Sequence, residues 1–300
     1  MADAQDRTTP DAPERAAIDA ALELLAGDAR RSLPGDVGDA IAYALAGGGK
    51  RVRGLLVLHA YRACGGGGRA DALAAAVEAI HAYSLVHDDL PCMDDDDMRR
   101  GRPTLHRVYG VPVATVVGLA MIPLAARAAW RAARALGSDQ ATAAEIVQVL
   151  MRASGAEGMV GGQLMDLEAE GRAVSLTELE EIHRGKTGCL IAASVMVGGL
   201  AAGAGPETRR ALGAFGDQVG LAFQIADDIL DVTATTEMLG KTAGRDIALA
   251  KSTYPSLLGL DGARSRAAAL VDAACHELRA ANIRSVDLER LAQFAVNRPS

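Results

Sequence analysis

Gln224, Asp227, Asp228 and Asp231 interrupt the otherwise apolar stretch from Val219 to Val232. Spacings of three and four place all of them on one stripe of a helix. Carboxylates crowded on an apolar helix repel one another and are costly to desolvate without a cation. A second acidic run, HAYSLVHDDLPCMDDDDMRRGR from His81 to Arg102, holds Asp88, Asp89 and Asp94 to Asp97. Pro91 ends the preceding helix near Leu90. That leaves Asp88 and Asp89 at a helix C-terminus, where the macrodipole disfavours negative charge. A local rule broken in this way marks a functional position. Magnesium supplies the compensation best, because it binds through one or two carboxylates and keeps positions for substrate phosphates. A calcium-binding EF-hand is a poor fit, since its loop spacing and central glycine are missing. Taken alone, Asp95 to Asp97 read equally well as solvated surface.

The cations are as selective as the anions. Only four of the 31 basic residues are lysines, Lys50, Lys186, Lys241 and Lys251, which leaves 27 arginines. Where arginine serves the general surface, a retained lysine marks a place that needs a compact ammonium. The four lie in GGGKRVRG, RGKTG, LGKTAGRD and AKSTY, contexts typical of loops. With Arg53, Arg99 and Arg100 they could clamp diphosphate groups beside cations held by the aspartates. GGGKRVRG is not a P-loop, because it lacks the GxxxxGK[ST] spacing and no strand precedes it.

The elements that must position these groups are helices. Alanine-rich segments of helical period fill nearly everything from Ala16 onward, and β-branched runs with strict alternation are missing. Punctuation at Gly47–Gly49, Gly65–Gly68, Pro91, Gly137, Gly171 and Gly203–Pro206 leaves long helices joined by short loops. The expectation is all-α, with residues 1–15 a disordered N-terminal tail and 16–300 one domain. With three Phe and one Trp, the core rests on Ala, Leu, Val and Ile.

Composition narrows the function. A net charge of −7 and a pI near 5.4 argue against nucleic-acid partners. Cys64, Cys92, Cys189 and Cys275 form no CxxC pair, which disfavours a zinc site or a disulfide framework and suits a reducing cytoplasm. The first fifteen residues lack the apolar core of a signal peptide. The apolar stretches Val111–Ala126 and Cys189–Gly205 each fall short of the roughly 20 residues of a bilayer span. Buried helices are the expectation, with no membrane span.

Seven motifs in order give the chain a likeness. GGGKRVRG, HAYSLVHDDLPCMDDDDMRRGRPT, GGQLMDLEAEG, HRGKTG, GLAFQIADDILDV, LGKTAGRD and AKSTYPSLLGL run from about Leu45 to Arg298. Together they resemble the trans-isoprenyl diphosphate synthase family, in its bacterial farnesyl diphosphate synthase type. The resemblance implies the isoprenoid synthase fold, a bundle of mostly antiparallel helices around a central cavity, in a homodimer. It also implies that an allylic diphosphate ionises, that isopentenyl diphosphate attacks head to tail, and that pyrophosphate and a proton leave.

Carried over by motif, Asp88, Asp89, Asp94, Asp227, Asp228 and Asp231 hold magnesium, about three ions per active site with manganese as the substitute. Lys186, Lys241, Lys251 and Arg99 neutralise the allylic diphosphate, and Thr187 and Gln224 lie near the developing cation. Lys50, Arg53, His81 and Arg100 bind isopentenyl diphosphate, and Arg298 closes over that second site. His81 shares a stripe with Ser84 and Asp88, whereas His87 reads as structural. Tyr83 and Ser84, a turn or so before Asp88, set chain length and favour the C15 product, farnesyl diphosphate.

The sequence departs from the family's pattern in two places. A Gly-Asp-Ala-Leu element of relatives is replaced by Gly118-Leu119-Ala120-Met121, and Gly54 stands where proline is common. Rival readings are a geranyl or geranylgeranyl diphosphate synthase, a class I terpene cyclase, and a non-catalytic partner subunit. The cyclase would lack the isopentenyl diphosphate site that Lys50, Arg53 and His81 represent.

Overall fold

The computed structural model describes residues 11–33, 35–233 and 251–297. Among them are thirteen α-helices, one π-helical turn and a hairpin of two-residue strands, as the all-α reading expects. Each predicted glycine or proline break falls at or between helix ends. The residues group into two compact units, 1–58 with 67–147 and 59–66 with 148–300. The divisions fall inside helix α3 (Val52–Ala63) and helix α7 (Gln140–Ser154), or in the glycine run between Cys64 and Gly68. No change of composition marks these divisions.

In the first unit, α1 (Ala12–Ser32) takes in residues 12–15, the last four of the stretch assigned to a disordered tail. Pro13, in the first turn, fixes a helical φ, and Ile18, Leu22, Leu25, Ala26 and Ala29 form a buried stripe. Residues 1–10 of that tail lie outside the described residues. α1 packs on α2 (Asp36–Leu45) and on α4 (Asp71–Asp88). α4 is apolar nearly all round, with Leu73, Val77 and Ile80 fully buried, each contributing about 1.5–3 kcal/mol. Strands β1 (Met98–Arg99) and β2 (Arg102–Pro103) pair antiparallel, and α5 (Leu105–Tyr109) follows.

Helix α6 (Val111–Ala135) packs along α4 and corrects one expectation. Strong helix formers after Ala126 carry it through Pro123 to 25 residues, so it is long and apolar enough to cross a membrane. Its most apolar window has a mean hydropathy of 1.7, and 33% of that window is buried inside the protein. Ala114, Val117, Met121 and Ala125 face inward, while Val116 and Leu119 are exposed.

The second unit contains α8 (Met159–Glu168), α9 (Leu176–His183), a π-helical turn (Arg184–Gly188), α10 (Cys189–Ala201), α11 (Pro206–Thr233), α12 (Tyr254–Ala280) and α13 (Val286–Val296). α10 is the buried helix expected of the second apolar stretch, and α11 packs against both it and α12. A capping box of Thr253 and Ser256 starts α12, and Gly259, at φ 72°, kinks it.

Candidate active site

The first aspartate segment is set by the end of α4. Asp88 is its last residue and Asp89 its C-cap, within two residues of the end that Pro91 predicts. The chain then folds back, and the Asp94 N–H donates to the Asp88 carbonyl at 2.8 Å. Asp94 thereby returns to the helix end that carries Asp88. Asp89 is 4% exposed, and burial pushes its carboxyl up. Arg99 opposes that shift by donating from Nε to Asp89 Oδ1 at 2.8 Å and from Nη2 to the same oxygen. Arg99 also meets Asp96 at 3.2 Å. The guanidinium expected on a substrate diphosphate is therefore engaged by the aspartates themselves.

Further back on α4, half-buried His81 lines a cavity with Arg51, Glu78, Arg99, Arg100 and Arg102. Arg100 Nη2 stands 3.5 Å from His81 Nε2, and its Nη1 binds the Gly48 carbonyl. Burial, then Arg53, Arg100, Arg51 and Arg99, hold the imidazole well below its usual pKa. A neutral ring among guanidinium groups is a receptor for an anion. Lys50 is exposed at the mouth of α3, one residue before buried Arg51.

Glu78, 4% exposed, explains an unusual glycine. The Gly54 N–H donates to Glu78 Oε1 at 2.8 Å, and a proline has no such donor. Arg51, which donates to Asp19 at 2.7 Å, stands 3.8 Å from Glu78.

Tyr83 is buried, and burial with Asp88 pushes its hydroxyl up to about 12. Its ring meets His87 edge-on at 5.9 Å. His87 Nε2 in turn lies 3.2 Å from the Thr115 carbonyl, and its ring fills the space over Gly118. His87 is a packing residue between α4 and α6, as expected. Ser84, also buried, donates to the His81 carbonyl at 2.9 Å.

In the second unit the π-helical turn is pressed between two helices. A Cβ on Gly162 of α8 would collide with the Lys186 backbone, and one on Gly220 of α11 would stand 2.6 Å from Gly188 Cα. Two glycines thus let the turn's backbone touch both helices, and π-turns of this kind recur at functional sites. On one side Thr187 Oγ1 donates to Gln224 Oε1 at 2.8 Å, joining two predicted residues. On the other, Lys186 Nζ donates to Asp166 Oδ2 at 2.6 Å, and Lys251 Nζ to the same oxygen at 2.9 Å. Burial alone would raise the Asp166 carboxyl, yet Lys186 and Lys251 hold it at about 2. Lys241 and Arg298 lie outside the described residues.

Asp227, Asp228 and Asp231 share one stripe of α11, and the last two are buried. Asp228 Oδ2 accepts the Tyr254 N–H at 3.0 Å and faces His183 Nε2 at 3.1 Å. Its Oδ1 has Gln224 Nε2 at 3.4 Å. His183 stacks on Tyr254 with ring centroids 5.8 Å apart, and the Tyr254 hydroxyl donates to Glu180 at 2.9 Å.

Among the described residues, no three His, Cys, Asp or Glu side chains gather closely enough to enclose a metal. Oxygen-only donors offered one or two at a time suit magnesium, whose other positions are filled by water and phosphate. The donor set therefore fits that ion and disfavours zinc, which takes nitrogen and sulfur in a closed shell.

The model of the family described as "Polyprenyl synthetase" matches residues 36–286. The chain is 48% identical over 258 residues to a farnesyl diphosphate synthase of Escherichia coli, covering 84% of this chain and 85% of that one. It is 40% identical over 269 residues to a farnesyl diphosphate synthase of Geobacillus stearothermophilus, covering 88% and 89%. A geranyltransferase of Helicobacter pylori, solved with magnesium and isoprenyl diphosphate, superposes with a TM-score of 0.77 at 30% identity, over 97% of both chains.

The chain belongs to the polyprenyl synthetase family. Within this polyprenyl synthetase, the sequence reading singles out the aspartates and lysines and passes over Asp166, His183, Glu78 and Arg51, which the structure sets against them or beside His81. Asp166 stood inside the quoted GGQLMDLEAEG and His183 inside HRGKTG. For Asp166 and Glu78 the signal available was an acidic side chain on an apolar helix face, the same signal that singles out Asp228.

Proposed function

We propose that the chain condenses isopentenyl diphosphate with dimethylallyl diphosphate and then, in a second round, with the geranyl diphosphate so formed or supplied, releasing one pyrophosphate per condensation and yielding farnesyl diphosphate. The observation that carries this reading is the guanidinium cluster around His81. It suits a second diphosphate, for which a terpene cyclase acting on one substrate has no use. The identity to two farnesyl diphosphate synthases favours the C15 product.

The reaction is a leaving-group problem. The allylic C–O bond breaks and its electron pair departs with pyrophosphate. The double bond of isopentenyl diphosphate then attacks the cation, and loss of a proton restores an alkene. Magnesium, when bound, neutralises charge that develops on the leaving diphosphate. Asp88, Asp89, Asp94, Asp227, Asp228 and Asp231 would hold it, about three ions per site, with manganese as a substitute. Lys186, Lys241, Lys251 and Arg99 bind the allylic diphosphate through charge-assisted hydrogen bonds. Thr187 and Gln224, already bonded to each other, present oxygen atoms to the cation. Lys50, Arg53, His81 and Arg100 hold isopentenyl diphosphate, and Arg298, by the family likeness, is the residue to close over it. Tyr83 and Ser84 limit the length of the growing chain.

The proposal extends to a homodimer in a reducing cytoplasm. Val111, Val116 and Leu119, 42–59% exposed on α6, supply an apolar face suited to a second copy. All four cysteines are free thiols. The test is to incubate purified protein with magnesium, isopentenyl diphosphate and a series of allylic diphosphates, then read product length by mass spectrometry. A C15 diphosphate is expected. Cyclic hydrocarbon from the allylic substrate alone would show a cyclase instead, and no turnover would mean a partner subunit.

A further inference from the structure

The function proposed above gives Asp166 no part, yet two of its cations end there. Lys186 enters from the π-helical turn and Lys251 from the segment before α12. Both donate to Oδ2 of this one carboxylate, at 2.6 and 2.9 Å. Two ammonium groups at such spacing repel each other, and each rides on a flexible four-carbon stem. Without the carboxylate they would separate toward water. Lys251 has a second contact, Glu170 at 3.2 Å, but that carboxylate is 34% exposed, and exposed pairs hold little.

The same face of α8 carries a second signal. Gln163 lies three residues before Asp166 and is 9% exposed. Neither its amide nitrogen nor its oxygen meets a partner among the described residues. A buried amide without a partner at either end is an exception that sets this stretch of α8 apart from ordinary packing surface.

We propose that Asp166 is a positioning residue for the allylic diphosphate. It holds Lys186 and Lys251 side by side, so that they meet one phosphate group as a paired cation. This rests on the function proposed above. Asp166 does not touch the reacting atoms; it acts through the two lysines. Its low pKa keeps it ionised wherever the enzyme works.

The test compares the full-length enzyme with Asp166→Asn and Asp166→Glu. In Asp166→Asn the KM for the allylic diphosphate is expected to rise about tenfold, as is the Kd for pyrophosphate measured by calorimetry, while the KM for isopentenyl diphosphate stays within about twofold. Asp166→Glu should restore part of the loss. Because the chain has only four lysines, selective 13Cε-lysine labelling gives a readout independent of turnover. Pyrophosphate should shift two lysine signals together in the parent and separately in Asp166→Asn. Unchanged or tighter pyrophosphate binding by Asp166→Asn would overturn the proposal, as would an equal rise in both KM values. If Asp166→Asn does not fold, Asp166→Glu carries the same comparison, and its failure to shift the KM ratio or the lysine signals counts against the idea. A parent enzyme that turns over no allylic diphosphate would instead defeat the proposed function.

Discussion

His183 Nε2 stands 3.1 Å from Asp228 Oδ2, the oxygen that also accepts the Tyr254 N–H at 3.0 Å. One carboxylate of the second aspartate segment thus ties the end of α9 and the start of α12 to α11. Asp228→Ala would leave that N–H and the imidazole without an acceptor in the interior, at a cost of about 2–4 kcal/mol. Urea unfolding should show a lower midpoint with an unchanged slope. Asp227→Ala, at a half-buried position, should leave the midpoint nearly in place and weaken manganese binding in the presence of pyrophosphate, read by electron paramagnetic resonance. Equal stability of Asp228→Ala and its parent would refute the tie.

Gly54 yields a second expectation. Its N–H satisfies Glu78 Oε1 at 2.8 Å, and a side chain there would meet Ile18 Cδ1 at 2.9 Å. Gly54→Pro removes the donor from a buried carboxylate and should cost about 3 kcal/mol. Gly54→Ala keeps the donor but presses on the tip of Ile18 and, at 3.2 Å, on Glu78 Cγ, so its cost should be about 1–2 kcal/mol. Thermal unfolding of the two variants measures the difference, and equal losses would mean that the hydrogen bond contributes nothing.

Why these partners escaped the sequence while the aspartates did not is a matter of range. Asp227, Asp228 and Asp231 declare themselves because helical spacing alone puts them on one stripe. The end of α4 was legible because Pro91 acts on its own neighbours. The pairing of Asp166 with Lys186 and Lys251 spans 20 and 85 positions, and no local rule predicts it. Gly162 and Gly220 were unremarkable as letters; only the backbone pressed against each shows that a side chain would not fit. The length of α6 was misjudged because apolarity fades after Ala126 while helix propensity does not.

Tyr83 offers a test of chain length. Its ring is buried on α4 one to two turns before Asp88 and rests edge-on against His87. Tyr83→Ala empties the space of the ring, which should admit a longer chain and shift the product from C15 toward C20. The same cavity should cost about 3 kcal/mol of stability, so the assay belongs well below the variant's unfolding temperature. Tyr83→Phe keeps the bulk and should retain the parent product. If Tyr83→Ala makes nothing longer than the parent does, Tyr83 does not limit the chain.

His81 makes the stability of the first unit depend on pH, with a definite sign. In the folded chain burial and Arg53, Arg100, Arg51 and Arg99 hold the imidazole well below 6.5, whereas in the unfolded chain it titrates near that value. Between the two values the unfolded state binds the extra proton, so stability rises with pH. The contribution is complete above 6.5 and is lost progressively as pH falls toward the folded pKa. His81→Gln removes the titrating group, so from pH 7.5 to 5.5 its denaturation midpoint should fall less than the parent's. A diphosphate placed among the same arginines offsets their charge and lets His81 take up a proton. Calorimetry of isopentenyl diphosphate binding near pH 6, in two buffers of different ionisation heat, should therefore show more proton uptake by the parent than by His81→Gln. Superimposable pH profiles for the two proteins would mean that His81 does not titrate under the influence of these arginines.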